Sequence, residues 1–263
     1  MSIWTPPVIT AIASSDFPAD NTLFSTLNLP LDKASGENRW QLQRLSGVLS
    51  IQSPEGLTQS VDFVGGKSRH RSREAGHGAA PLKKALGISA FEKRHARKPR
   101  IVDATGGWGQ DAWLMALMKC TVTLIEKNPI VHALLADALA RAQRDEQCSD
   151  VARRMSLHND DACNLLAQLS ADVIYLDPMY PHRARKKADS KKGMQILQSL
   201  LGPVDDVLSR QLLEAAIKNG ATRIVVKRPK GATVLEPMST FSGQLIDIQS
   251  PNTRYDVYLQ HTD

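Results

Sequence analysis

The sequence predicts an α/β fold: a mostly parallel sheet of seven strands, one of them antiparallel, covered by helices and preceded by a small α+β appendage. Three observations predict it. From Arg100 onward, short β-branched runs alternate with helical stretches, and that alternation builds a parallel sheet with helices on both faces. The last two strand-like runs are joined only by Ser250-Pro251-Asn252-Thr253, too short for a parallel crossover, so one of them runs antiparallel. Residues 1–64 instead carry short alternating runs (8–13, 40–45, 48–52, 61–64) punctuated by Gly36, Gly47, Pro54 and Gly56, as in a small strand-rich unit. The expected division is a docking unit with a basic linker over 1–80 and a catalytic domain over 81–263.

Taken in order, Pro81 starts and Gly87 stops a short helix. A strand is expected over 101–105, a helix over 110–119 and a second strand over 121–126. A long helix over 129–144 has proline in its first turn. A third strand covers 154–158, and Asp160-Asp161 open a helix to 169. Residues 172–176 form the fourth strand. Residues 204–218 form a helix closed by Asn219-Gly220. Strands at 222–227, 244–249 and 255–260 complete the sheet.

A chain of 263 residues, 42% hydrophobic and 23% charged, is ordinary for a soluble protein. No apolar run reaches membrane-spanning length, and the N-terminus lacks the basic start and apolar core of a signal peptide. A cytoplasmic protein without membrane contact is expected, and a monomer. Cys120, Cys148 and Cys163 are widely spaced with no CxxC pair, which argues for reduced thiols and against a disulfide frame or a metal site. The net charge of +6 is unevenly placed. Between Gly65 and Arg100 eleven Lys/Arg face only Glu74 and Glu92, and between His182 and Lys192 six face only Asp189. Two basic islands on an acidic remainder suit a polyanion, nucleic acid first. A solvated charged face is the plainer alternative.

Four strand ends carry the chemistry. Asp103-Ala104-Thr105-Gly106-Gly107-Trp108-Gly109-Gln110-Asp111 reads as strand end, glycine turn and helix start, where backbone N–H groups can approach a ligand. Gly107 to Ala112 fits G-x-G-x-x-A, and Glu126 ends the next strand nineteen residues after Gly107, so a dinucleotide and S-adenosylmethionine both compete for the loop. Charge separates them: Asp103 and Asp111 would repel a pyrophosphate, whereas an ammonium and a sulfonium are attracted. Asp160-Asp161 after the third strand can accept from an adenine amino group or simply cap a helix. Asp177-Pro178-Met179-Tyr180-Pro181 after the fourth strand is a stiff loop with an acceptor and a flat ring, suited to gripping a planar base. A proline-bracketed turn with a solvated aspartate would read the same in isolation.

Together these features resemble the Rossmann-like, S-adenosylmethionine-dependent methyltransferases, with a glycine loop, an acid after the second strand, an acid after the third and a D/N-P-P-Y-type loop after the fourth. Met179 stands where that loop has its middle proline. With Lys227-Arg228-Pro229, Arg254-Tyr255-Asp256-Val257-Tyr258, Asp62-Phe63-Val64 and Lys84-Ala85-Leu86-Gly87, the chain resembles the small-subunit ribosomal RNA methyltransferase J family. Gln110 stands where many relatives carry arginine.

The resemblance implies methylation of the exocyclic N2 of one guanosine in 16S rRNA, on free rRNA or the small subunit. It implies S-adenosylmethionine contacts from Asp103, Thr105, Gly107, Gly109, Gln110, Asp111, Glu126, Lys127, Asp160, Asp161 and Asp177. Asp177, Pro178 and Tyr180 are the expected catalytic group. Arg69, Arg71, Arg183, Arg185, Lys186, Lys187, Lys227 and Arg228 are expected to contact RNA phosphates. An adenine-N6 or cytosine-N4 methyltransferase uses a similar loop and is the second reading. A dinucleotide-dependent oxidoreductase and a non-catalytic RNA-binding module follow.

Overall fold

The computed structural model describes residues 5–13, 16–17, 19–32, 39–65, 79–179, 192–203 and 206–260. The N-terminal elements are β1 (Ile9–Ile12), α1 (Ala19–Thr26), β2 (Leu31–Asp32), β3 (Trp40–Leu45), β4 (Val48–Gln52) and β5 (Thr58–Ser60). They form a five-stranded sheet in the order β2-β1-β3-β4-β5, with β1 parallel to β2 and β3 and the rest antiparallel. Ser46 and Gly47 join β3 to β4 with φ of 48° and 81°, the left-handed pair that a two-residue hairpin demands. The run 61–64 is not a strand, contrary to expectation. The Asp62 carboxylate accepts the N–H groups of Val64 and Gly65, both at 3.0 Å, and turns the chain just after β5.

The second part comprises α2 (Ala80–Ala85), α3 (Ile88–His95), β6 (Arg100–Asp103), α4 (Gln110–Leu117), β7 (Thr121–Ile125), α5 (Pro129–Arg144), α6 (Ser149–Ala152), β8 (Met155–His158), α7 (Ala162–Leu165), β9 (Val173–Leu176), α8 (Lys192–Leu201), α9 (Asp206–Lys218), β10 (Arg223–Pro229), β11 (Gln244–Gln249) and β12 (Thr253–Leu259). Its seven-stranded sheet has the order β11-β12-β10-β9-β6-β7-β8. Only β12 runs against the others, wedged between β10 and β11. The α/β expectation and its single antiparallel strand hold. The helix expected over 160–169 is instead α7 followed by a 3₁₀ turn at Leu166–Gln168. Gly87 ends α2 as expected, but with φ of 65° it restarts the chain directly into the unforeseen α3.

The alternation of side chains along the strands divides the core. Val102, Ile174, Leu176, Ile224 and Val226 meet Leu213 and Ala216 of α9 on one face. Ile101, Tyr175, Val225 and Val257 pack with α4 and α5 on the other, and that cluster continues into Phe24, Leu42, Leu49 and Ile51 of the N-terminal sheet. Phe63 stacks on Trp113 of α4 with ring centroids 4.6 Å apart and planes 6° from parallel. The two sheets therefore share one apolar core.

Candidate active site

In this sheet the chain leaves β6 toward β7 on one side and reaches β9 on the other. The crevice at the carboxyl ends of β6 and β9 is where open α/β sheets bind ligands. Asp103 ends β6 at 2% exposure and accepts from the backbone N–H of Thr105 at 3.0 Å and its hydroxyl at 3.2 Å. Burial is the main force that pushes its pKa up to about 7, with the charges of Asp111 and Asp177 adding to it and the Thr105 hydrogen bonds opposing it. The Thr105 hydroxyl also accepts the backbone N–H of Asp177 at 2.7 Å, so the glycine loop and the Asp177 loop are tied together.

The glycine loop turns over Glu126. This buried carboxylate accepts the N–H of Gly107 at 2.8 Å and that of Asn128 at 2.7 Å. Burial raises its pKa, and those two N–H groups counteract the rise. Gly109, at φ of 67°, precedes α4, and a Cβ there would lie 2.8 Å from Leu135 and 3.0 Å from Phe63. The approach is close enough that only glycine fits without repacking. Asn128 caps α5 by accepting from Ile130 and Val131, and its amide donates to the Leu200 carbonyl of α8 at 3.2 Å. Trp108 donates its indole N–H to the Gly193 carbonyl at 3.1 Å. Helix α8 thus lies against the loop. Its amphipathic pattern starts inside the basic island, where charge obscured the helical period.

At the end of β9 the Asp177 carboxylate meets Lys227 Nζ at 2.9 Å, and Lys227 meets Asp111 at 2.7 Å. The Tyr175 hydroxyl donates to the same Asp111 oxygen at 2.6 Å. Crowding by neighbouring atoms raises the Asp177 pKa and Lys227 opposes the rise, at a carboxylate that still exposes 40% of its side chain to solvent. For Lys227 burial lowers the pKa, but the two carboxylates outweigh it and keep the ammonium charged.

Asp103, Thr105, Gly107, Gly109, Asp111, Glu126, Asp177 and half-buried Pro178 thus gather around one crevice, while Gln110 and Lys127 are exposed around it. Asp161 caps α7 by accepting from Cys163 at 2.9 Å, and Asp160 accepts the N–H of Asp161 at 2.7 Å. Two expected phosphate contacts are placed elsewhere. Lys227 points into the acid cluster, and Arg228 is 3% exposed and donates to the Thr233 carbonyl at 3.0 Å. Asp111, expected at the cofactor, accepts from both Lys227 and Tyr175 through its Oδ2. Tyr180, Arg69, Arg71, Arg183, Arg185, Lys186 and Lys187 lie outside the described residues. Sequence reasoning missed Tyr175, Asn128 and Trp108. The Asn128-Pro129 pair was a readable cap signal, whereas Tyr175 was hidden in an apolar run.

The crevice fits a cationic, phosphate-free cofactor. Acids occupy the ends of β6 and β7, and a Cβ at Gly106 would meet Glu126 at 3.1 Å and the Ile125 carbonyl at 3.2 Å, so the loop lies tight on the second acid. Among the described residues no group of His, Cys, Asp or Glu is arranged to hold a metal ion, and no helix is long and apolar enough to cross a membrane.

The family model described as “Putative SAM-dependent methyltransferase” matches residues 23–260. A crystal structure of a SAM-dependent methyltransferase from Neisseria gonorrhoeae superposes with a TM-score of 0.72 and 26% identity, covering 95% of both chains. Fold and site define a Rossmann-like methyltransferase that uses S-adenosylmethionine. Ribosomal RNA small subunit methyltransferase J of Hydrogenovibrio crunogenus is 40% identical over 260 residues, covering 90% of this chain and 89% of the relative. The protein of that name from Dechloromonas aromatica is 39% identical, covering 90% and 93%. The chain belongs to the ribosomal RNA small subunit methyltransferase J family.

Proposed function

We propose that this protein methylates the exocyclic N2 of guanosine 1516 in 16S rRNA, as free rRNA or in the small subunit, in the cytoplasm. The observation that carries this reading is the Asp177 carboxylate. It is partly exposed at the end of β9, and its backbone N–H is fixed by Thr105 of the cofactor loop. The bound cofactor supplies a methyl group already activated as a sulfonium. The chain's task is alignment. Asp177 and the Pro178 carbonyl accept the two amine hydrogens, which turns the nitrogen lone pair toward the methyl. Asp177 then holds the proton released from the amine. Tyr180 stacks on the base.

Asp103, Thr105, the N–H groups of Gly107 and Gly109, and Gln110 hold the amino-acid end of the cofactor. Glu126 with Lys127 takes the ribose, and Asp160-Asp161 the adenine. Residues 1–80 and the basic stretch after Gly65 dock the rRNA together with the second basic island, which directly follows the catalytic loop.

Incubation with methyl-labelled S-adenosylmethionine and unmodified small-subunit particles, followed by digestion, tests the reading. Label is expected in N2-methylguanosine. Label in N6-methyladenosine or N4-methylcytosine would replace the target while keeping fold and cofactor. Cofactor binding should also depend on pH. Asp103 charges only as pH rises through about 7. If its carboxylate form holds the cofactor ammonium, S-adenosylhomocysteine binds about tenfold more tightly at pH 8 than at pH 6. Calorimetry at the two values checks this, and Asp103→Asn should flatten the dependence.

A further inference from the structure

We propose that Lys227 is a positioning residue of the methyl-transfer site: its ammonium, braced by Asp111 and Tyr175, holds the Asp177 carboxylate charged and aimed as an acceptor for the target amine. The inference rests on the reading of Asp177 given above. It starts from sheet register. Strand β10 lies parallel to β9 with Val226 opposite Leu176, so the next residues along, Lys227 and Asp177, emerge side by side at the two strand ends. On the other flank Lys227 pairs with Tyr255 of β12. Two-residue periodicity puts Tyr175, Asp177, Val225 and Lys227 on one face. Asp111, in the first turn of α4, covers that face.

The result is a chain of charged hydrogen bonds, Tyr175 to Asp111 at 2.6 Å, Lys227 to Asp111 at 2.7 Å and Lys227 to Asp177 at 2.9 Å. Among the described residues the groups that face Asp177 are Lys227, Asp111, Asp103, Tyr175 and Tyr255, and of these Lys227 is the cation. Without it, crowding by neighbouring atoms and the charge of Asp111 would favour a protonated Asp177. A protonated acid presents an O–H toward the amine where an acceptor is required. Asp111 keeps the ammonium from swinging out to solvent, and Tyr175 fixes Asp111. A lysine used for RNA phosphates would instead be exposed and loosely held.

The test uses the full-length protein with unmodified small-subunit particles at saturating cofactor, from pH 5.5 to 9. Lys227→Met is expected to lower kcat at pH 7 by ~10²-fold. It should move the acid limb of the kcat profile upward by about one pH unit or more. The KM for RNA and its salt dependence should stay within about twofold. Because Lys227→Met leaves Asp111 without its cation and can weaken folding, Lys227→Met/Asp111→Asn is measured beside it. The limb should move in the same direction, by less, because the exchange at 111 also removes a like charge. A loss confined to KM with a shallower salt dependence would return Lys227 to phosphate binding and overturn the proposal, as would unchanged kcat and limb in both variants. Asp177→Asn separates the two layers. If it is inactive while Lys227→Met is intact, positioning alone fails. If it keeps wild-type kcat, the reading of Asp177 fails and takes this inference with it.

Discussion

Replacing Asp177 by Asn is expected to lower kcat for methyl transfer by ~10²–10⁴-fold while leaving the protein folded and able to bind cofactor. The exchange is nearly isosteric and keeps an oxygen for Lys227, so the strand end and the Thr105 tie to its backbone have no reason to move. What changes is polarity. A carboxylate offers two acceptor oxygens and a place for a proton, whereas an amide offers one acceptor, presents N–H groups to the amine and takes no proton near neutrality. The loss should therefore appear in kcat under single-turnover conditions. Affinity for S-adenosylhomocysteine, which the proposed function assigns to Asp103, Glu126 and the glycine loop, should change little. Wild-type turnover in this variant would remove Asp177 from the chemistry and leave the crevice as a cofactor site without an identified amine acceptor.

The second large effect is on stability, at the joint between the two sheets. Arg44 of β3 grips Asp20 through Nε and Nη2, both at 2.8 Å, and reaches Asp137 of α5 through Nη1 at 2.5 Å. Asp137 also accepts from Arg141 at 2.8 Å, and Arg141 continues to Asp62 at 3.1 Å. Arg44 is 13% exposed and its partners 8% and 10%, so removing the cation strands Asp20 in a poorly hydrated joint and leaves Asp137 to Arg141. Breaking a buried pair from one side costs ~3–5 kcal/mol. Arg44→Met should sit near the lower bound, about 3 kcal/mol, because Arg141 still serves Asp137 and the guanidinium is not fully enclosed. Thermal melting should fall by roughly 6–12 °C. Adding Asp20→Leu removes one stranded charge and should recover part of the loss. A melting temperature unchanged in Arg44→Met would mean that the apolar contacts, led by Phe63 on Trp113, hold the joint unaided.

Much of the site was readable because its signals are local. The glycine loop, Glu126 at the end of β7 and the stiff Asp177-Pro178 loop each depend on residues adjacent in the chain. Tyr175 escaped because an aromatic within an apolar run reads as core, and it is fully buried; only its hydroxyl reaches Asp111. Lys227 was recognised as a cation at a strand end but assigned to RNA. Charge alone does not say which strand lies alongside, and Asp177 is fifty residues away in sequence.

The sequence by itself determined the α/β class, the positions of most strands, the glycine loop after β6 and the acids around it, since periodicity, glycine placement and strand-end polarity act over a few residues. Tertiary structure alone decided that β10 lies beside β9, that Lys227 turns inward between Asp111 and Asp177, and that Arg44 locks the N-terminal sheet onto α5. Those contacts join residues 50, 116 and 93 positions apart. Strand order and the docking of the two sheets bring them together, and no local pattern encodes either.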